Sequence, residues 1–178
     1  QVLLKDILRG QLRRLNRYSF AGAENEFSTG NIERAIEDLD EPLAEGLIHA
    51  SEKIYDALLL GRSYPETVGE GKTLSFNLKY VDWEHPENNV FHVTEEFPVE
   101  SRDKLHNARP DLVVFLNGIP FGVIECKAPQ ISVEQAVEQT VRNQQRDYIP
   151  QLYKFAQIVM ATNKNAVKYA TTGTPKKF

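Results

Sequence analysis

Three charged residues interrupt an apolar stretch, RPDLVVFLNGIPFGVIECKAP at residues 109–129: Asp111, Glu125 and Lys127. The stretch reads as two strands around an Asn117-Gly118 turn. Glu125 and Lys127 are two apart, so in a strand both leave one face while Cys126 leaves the other, toward the core. A carboxylate and an ammonium on an apolar strand are costly to bury unless they meet each other, a metal or a polar substrate. Two carboxylates on adjacent strands offer the hard oxygen ligands that Mg²⁺ takes, and the backbone carbonyl of Cys126 could add a third. Such an ion would polarise a phosphodiester and acidify a bound water, with Lys127 placed to orient that water or offset transition-state charge.

Register decides whether Asp111 joins the pair. A regular two-residue turn pairs Leu116 with Ile119 and sets Asp111 opposite Ile124, on the wrong face. A three-residue loop of Leu116, Asn117 and Gly118, with Gly118 left-handed in a bulge, pairs Asp111 with Val123 and puts all three charges on one face. The chemistry therefore predicts an odd-length loop or an equivalent bulge.

The rest of the chain must position this hairpin. Val2, Leu4, Ile7, Leu8, Leu12 and Leu15 recur at helical spacing, and further helices are expected through IERAIEDL after FSTGN and over LIHASEKIYDALLLG, the latter stopping at Gly61. RSYPETVGEG reads as turn-rich. TLSFNLKYVDW and NVFHVTEEFPVE read as an antiparallel pair that the hairpin extends. SVEQAVEQTVRNQQRDY reads as a helix capped by Ser132, Pro150 breaks the pattern, and FAQIVMATN reads as a further strand.

At 178 residues, with 41% hydrophobic and 26% charged, the chain suits one globular domain with a real core. No apolar run approaches the roughly 20 residues of a membrane span, and the charged N-terminus is unlike a signal peptide, so a cytoplasmic location is expected. One cysteine excludes an internal disulfide, and His49, His85, His92 and His106 lack metal-ligand spacing. The net charge of -4 argues against a free-standing nucleic-acid binder. Residues 131–178 nevertheless carry seven basic residues (Arg142, Arg146, Lys154, Lys164, Lys168, Lys176, Lys177) against three acidic ones, most simply a solvated face.

GEGKT at residues 69–73 imitates a phosphate-binding loop, but Glu66 stands where G-x-x-x-x-G-K-[ST] needs glycine, and a strand follows instead of a helix. No Gly-x-Gly-x-x-Gly or Gly-x-Ser-x-Gly motif is present either.

Pro110-Asp111 with Glu125-Cys126-Lys127 resembles the PD-(D/E)xK nuclease signature. FSTGNIERAI, GLIHASEKIYDALLLG, YVDWEHPENNVFHVTEEF, the hairpin itself and IPQLYKFAQIVMATN extend the resemblance over nearly the entire chain, to the N-terminal nuclease domain of the restriction (motor) subunit of type I restriction-modification enzymes. The resemblance implies an α/β (α+β) restriction-endonuclease-like core, a central mixed sheet flanked by helices, with an N-terminal helical extension. It divides a single domain into a helical part over 1–61, a sheet-containing core over 72–161 and, over 162–178, the start of a linker to a motor domain that would use ATP.

It further implies Mg²⁺-dependent cleavage of double-stranded DNA, with metal ligands Asp111, Glu125 and the Cys126 carbonyl, and methyltransferase and specificity subunits as partners. Related nucleases add a Gln-x-x-x-Tyr motif on the following helix. Gln144 and Tyr148 have that spacing and join Asp111, Glu125 and Lys127 in the expected catalytic set. Gln139 lies nearer the usual place for the glutamine but has Asn143 in the tyrosine position. Glu52 is a candidate for a helical glutamate that many such nucleases add, against the plainer reading of an exposed helix residue. Two other functions compete: a catalytically inactive nuclease fold that binds DNA or protein, and an RNA or repair nuclease.

Overall fold

Helix α1 (Lys5–Leu15) buries Leu8 and Leu12 and packs on α2 (Thr29–Leu39), whose N-terminus is capped by Ser28 Oγ accepting from the Asn31 amide. Between them lies a small hairpin, β1 (Tyr18–Phe20) and β2 (Ala23–Asn25). Helix α3 (Leu47–Leu60) stops at Gly61, whose φ of 73° is the left-handed backbone that glycine adopts without strain. The coordinates come from a computed structural model and describe residues 2–101, 104 and 107–175; His106, Lys176 and Lys177 lie outside the described residues.

The stretch expected as a turn-rich connection is instead strand β3 (Arg62–Val68), paired residue for residue with β4 (Lys72–Leu78) in a separate two-stranded ribbon. Alternation is present in β3, with Tyr64, Glu66 and Val68 all buried. The inward residue at its centre is a glutamate, and this hides the apolar period. Glu66 Oε1 accepts from Ser28 N, Ser28 Oγ and Asn31 Nδ2, so a strand carboxylate serves the N-terminus of α2, where the helix dipole favours negative charge. The loop that imitated a phosphate cradle is the turn of this ribbon.

The remaining strands are β5 (Phe91–Glu95), the short pair β6 (Val99–Glu100) and β7 (Asn107–Ala108), β8 (Leu112–Leu116), β9 (Ile119–Cys126), β10 (Ile158–Thr162) and β11 (Val167–Ala170). Five of them form the central sheet in the order β11-β10-β9-β8-β5; β9 and β10 are parallel and every other pair is antiparallel. The sheet is therefore mixed, and β5 pairs with β8 and not with β4 as the sequence suggested. Residues expected to begin a linker at 162 include edge strand β11.

Helix α4 (Val133–Asn143) crosses β9, β10 and β11, and the single turn α5 (Pro150–Tyr153) packs on α3. Ser132 caps α4 as expected, accepting from the Glu134 amide. Val113, Phe115, Val123 and Val159 on the strands meet Ile149, Leu152, Tyr153 and Phe155 in one core. Lys154, counted with the basic face, is 4% exposed and anchors to Asp40 Oδ1 at 2.6 Å and to the Glu41 carbonyl. Among the described residues no helix is long and apolar enough to cross a membrane.

Candidate active site

The hairpin turn is two residues long. Asn117 and Gly118 have φ of 53° and 84°, the left-handed pair that a type I′ turn requires, and Leu116 pairs with Ile119. The three-residue loop is thus replaced by its alternative, a bulge. The ladder shifts between Val114 and Phe115, leaving Phe121 as the extra residue of β9, so that Leu112 pairs with Ile124 and Asp111, one step on, comes level with Glu125. Asp111 faces Glu125 itself, not Val123.

Backbone bonds fix this end of the ladder. The Asp111 carbonyl accepts from Glu96 N at 2.9 Å and that of Pro110 from Phe97 N at 3.2 Å, while Asp111 Oδ2 accepts from Cys126 N at 2.6 Å. A residue's N–H and C=O leave a strand on the same side, so the Cys126 carbonyl also lies toward Asp111. The Cys126 side chain is exposed, correcting the expectation that it enters the core: it is the last residue of β9, where the strand runs out of the sheet.

Glu125 is fully buried. Gln139 Nε2 donates to its Oε2 at 2.7 Å and Asn143 Nδ2 to its Oε1 at 3.4 Å. Lys127 Nζ donates to Gln139 Oε1 at 2.7 Å, so one amide joins the two charges, its oxygen toward the ammonium and its nitrogen toward the carboxylate. Only that orientation satisfies both. Burial first, then the Asp111 charge and a hydrogen bond to Asp111 in the protonated form, push the Glu125 carboxyl up to about 8, against the opposing pull of Lys127 and Gln139.

Asp111, Glu125 and Lys127 are therefore brought together, and Gln139 joins them. Gln144 is not brought there: its Nε2 donates to the Thr140 carbonyl at 3.1 Å and its Oε1 accepts from Gly173 N at 2.8 Å. Tyr148 instead packs its ring under the Arg142 guanidinium, 5.5 Å from the centroid. The spacing that favoured these two ignores the helix end. Helix α4 stops at Asn143, and Gln144 is its C-cap. What separates the two is the helix end: Gln139 lies within α4, three residues after Ala136 and four before Asn143 at one edge of the buried face, whereas Gln144 lies past the last helical residue. Asn143, 2% exposed beside Glu125, departs from the motif's tyrosine, yet a polar residue on a buried helix face is itself a signal. Glu52 is exposed on α3.

The donors suit a hard divalent cation. Among the described residues no three His, Cys, Asp or Glu side chains gather around one point, so a metal here would rely on two carboxylates, a carbonyl, waters and substrate oxygens, the mixture Mg²⁺ prefers. Two carboxylates forced together in a buried site also gain from a cation that relieves their repulsion.

A mixed sheet carrying Asp, Glu and Lys at the ends of a bulged hairpin, backed by a glutamine from the next helix, defines a nuclease-like α/β fold. The chain belongs to the family described as type I restriction enzyme R protein N terminus (HSDR_N), which it matches over residues 1–178. Two relatives come from Methanocaldococcus jannaschii and are provisionally named type I restriction enzyme endonuclease subunits. MjaIXP is 32% identical over 126 residues, 67% of this chain and 12% of the relative, and MjaVIIIP is 27% identical over 164 residues, 89% and 14%. The type I restriction enzyme SsaAORF53P endonuclease subunit of Staphylococcus saprophyticus is 28% identical over 92 residues, 52% of this chain and 10% of that protein. The chain thus spans between 10% and 14% of the length of these relatives.

Proposed function

We propose that this domain is the Mg²⁺-dependent endonuclease portion of an ATP-dependent type I restriction enzyme, cleaving double-stranded DNA in the cytoplasm. The observation that carries the reading is the chain of contacts Asp111, Glu125, Gln139, Lys127 at one end of the β8–β9 hairpin. Family membership and the names of the relatives support it.

Asp111, Glu125 and the Cys126 carbonyl would hold the cation, which supplies a polarised phosphodiester and an acidified water. Glu125 is kept in place by Gln139 and Asn143, so its carboxylate need not reorganise when the substrate arrives. Lys127, a half-buried residue, is held by Gln139, able to orient the attacking water or to balance charge on the phosphorus centre. DNA is held chiefly by partners. The domain is acidic overall, and we assign positioning to a motor region of the same polypeptide and to methyltransferase and specificity subunits.

The test is Lys127→Ala in the full-length subunit assembled with its partners, with ATP hydrolysis and DNA cleavage followed together in Mg²⁺. Loss of cleavage with ATPase retained is expected. Cleavage at the wild-type rate would make Lys127 structural and overturn the reading.

A further inference from the structure

The two faces of the central sheet are covered unequally. Glu125, Ala161 and Lys168 form one row across β9, β10 and β11, on the face that α4 crosses, with Gln139 bonded to Glu125 and Glu134 paired to Lys168. The alternate residues point the opposite way. There Ile124, Met160 and Tyr169 make one row, and Val93, Val114 and Ile158 make another across Gly122. The outer parts of this second face are open: Tyr169 is 74% exposed, and Phe91 and Val93 are 61% exposed.

A sheet face left in water carries polar residues. Both edge strands do the reverse. In β11, Lys168 takes the α4 side while Val167 and Tyr169 face out. In β5, His92 and Thr94 stand opposite the core residues Phe115 and Val113, while Phe91 and Val93 face out. The parallel pair β9 and β10 is apolar on both sides, with Val159 and Ala161 inward and Ile158 and Met160 outward, the composition of strands covered twice. Of the described strand residues on the open face only Glu95 is charged, so the face offers no cation to a phosphate backbone. A contiguous apolar surface of this kind marks a protein docking site.

We infer that a later part of the same polypeptide docks on this face, covering it with an apolar surface of its own. The family is described as the N terminus of a restriction enzyme R protein, and the chain spans between 10% and 14% of its relatives, so most of each relative lies outside this domain. A covalently attached body is presented at an effective concentration of about millimolar, so it occupies the face without any need for a second copy. Cys126 stands opposite Thr162 on the same face, so the docked body borders the candidate site while Glu125 stays turned toward α4. The inference uses the longer polypeptide of the functional reading and none of its metal chemistry.

The experiment is hydroxyl-radical footprinting of the unmodified full-length subunit, without partner subunits or DNA, read by peptide mass spectrometry. Tyr169 and Phe91 are reactive side chains on strands at opposite edges of the sheet. Each should be oxidised at least about 10-fold more slowly than in the urea-unfolded subunit, and this protection should survive a dilution of about 100-fold in a monomeric sample. Oxidation of both near the unfolded rate would overturn the docking. Protection that fades on dilution or accompanies a dimer would give the face to a second copy. Protection that appears only when methyltransferase and specificity subunits are added would give it to them, and either result overturns the inference. Cleavage is not read, so the outcome is independent of the Lys127→Ala test.

Discussion

Asp111 stands level with Glu125 because Phe121 is one residue too many for the β8–β9 ladder. Without that bulge the carboxylate would face Ile124 and point away from its partner. The chain thus sets two like charges together in a fully buried position at Glu125, an arrangement that opposes stability unless something neutralises it.

The pH dependence follows directly. The Glu125 carboxyl titrates near 4.5 when unfolded and is raised to about 8 in the fold. The folded state therefore binds the extra proton between these values. Its contribution to stability is complete below about 4.5 and is lost as pH rises through about 8. Melting curves recorded without divalent cations should show this decline in the wild type, a flatter profile in Glu125→Gln, and a Mg²⁺-induced rise above pH 8 in the wild type only. A flat wild-type profile would contradict the raised carboxyl.

The two glutamines should separate cleanly. Gln139→Ala removes the link between Lys127 and Glu125 and should lower the cleavage rate at least about 10-fold with ATP hydrolysis unchanged. Gln144→Ala removes the bond to Gly173 N and should cost about 1 kcal/mol of stability while cleavage persists. The reverse pattern would return the motif to Gln144.

Gly118 tests the turn. It has φ of 84°, and a Cβ there would sit 2.7 Å from the Leu4 carbonyl oxygen and 3.0 Å from Leu8 N. Both obstacles are backbone, so Gly118→Ala should destabilise by about 1–3 kcal/mol, read as a lower denaturant midpoint. An unchanged midpoint would mean that α1 does not bear on the turn.

Glu66 and Lys72, both in the ribbon that imitates a phosphate loop, should behave oppositely. Glu66→Ala strands three donors at the start of α2 and should cost about 2 kcal/mol. Lys72→Ala removes only an exposed pairing with Glu70 and should change stability by less than about 0.5 kcal/mol, with ATPase and cleavage intact. A loss of ATPase in Lys72→Ala would revive the phosphate-loop reading.

Much of this was legible before any coordinates. Helical period, the Ser132 cap and the stop at Gly61 located the four longer helices, α1 to α4, because each signal is local. The three hairpin charges announced a shared face, and the need for a bulge or odd loop followed from strand parity alone. Which of the two occurs was not legible: the choice lies in how the Phe121 backbone is held, and the Phe121 carbonyl accepts from Gln157 N, 36 residues away in the chain. Strand β3 was hidden by the buried Glu66, whose partners on α2 exist only in the fold. Cys126 was misplaced because alternation says which face a side chain takes, not whether that face is covered. Gln144 was favoured by a spacing rule that does not include where α4 ends.

The amide of Leu4 donates to the Gly118 carbonyl at 2.9 Å, fastening the start of α1 to the hairpin turn. That turn is the end of the hairpin remote from Asp111 and Glu125. Six residue steps along β9 lead from Ile119 to Glu125, about 20 Å at strand rise. The N-terminal helix is thus joined through β9 to the candidate site at the far end of the hairpin. A protease nick within the first turn of α1, or a bulky tag pressed against it, would be transmitted along β9 as a loss of alignment between two carboxylates that neither agent could reach.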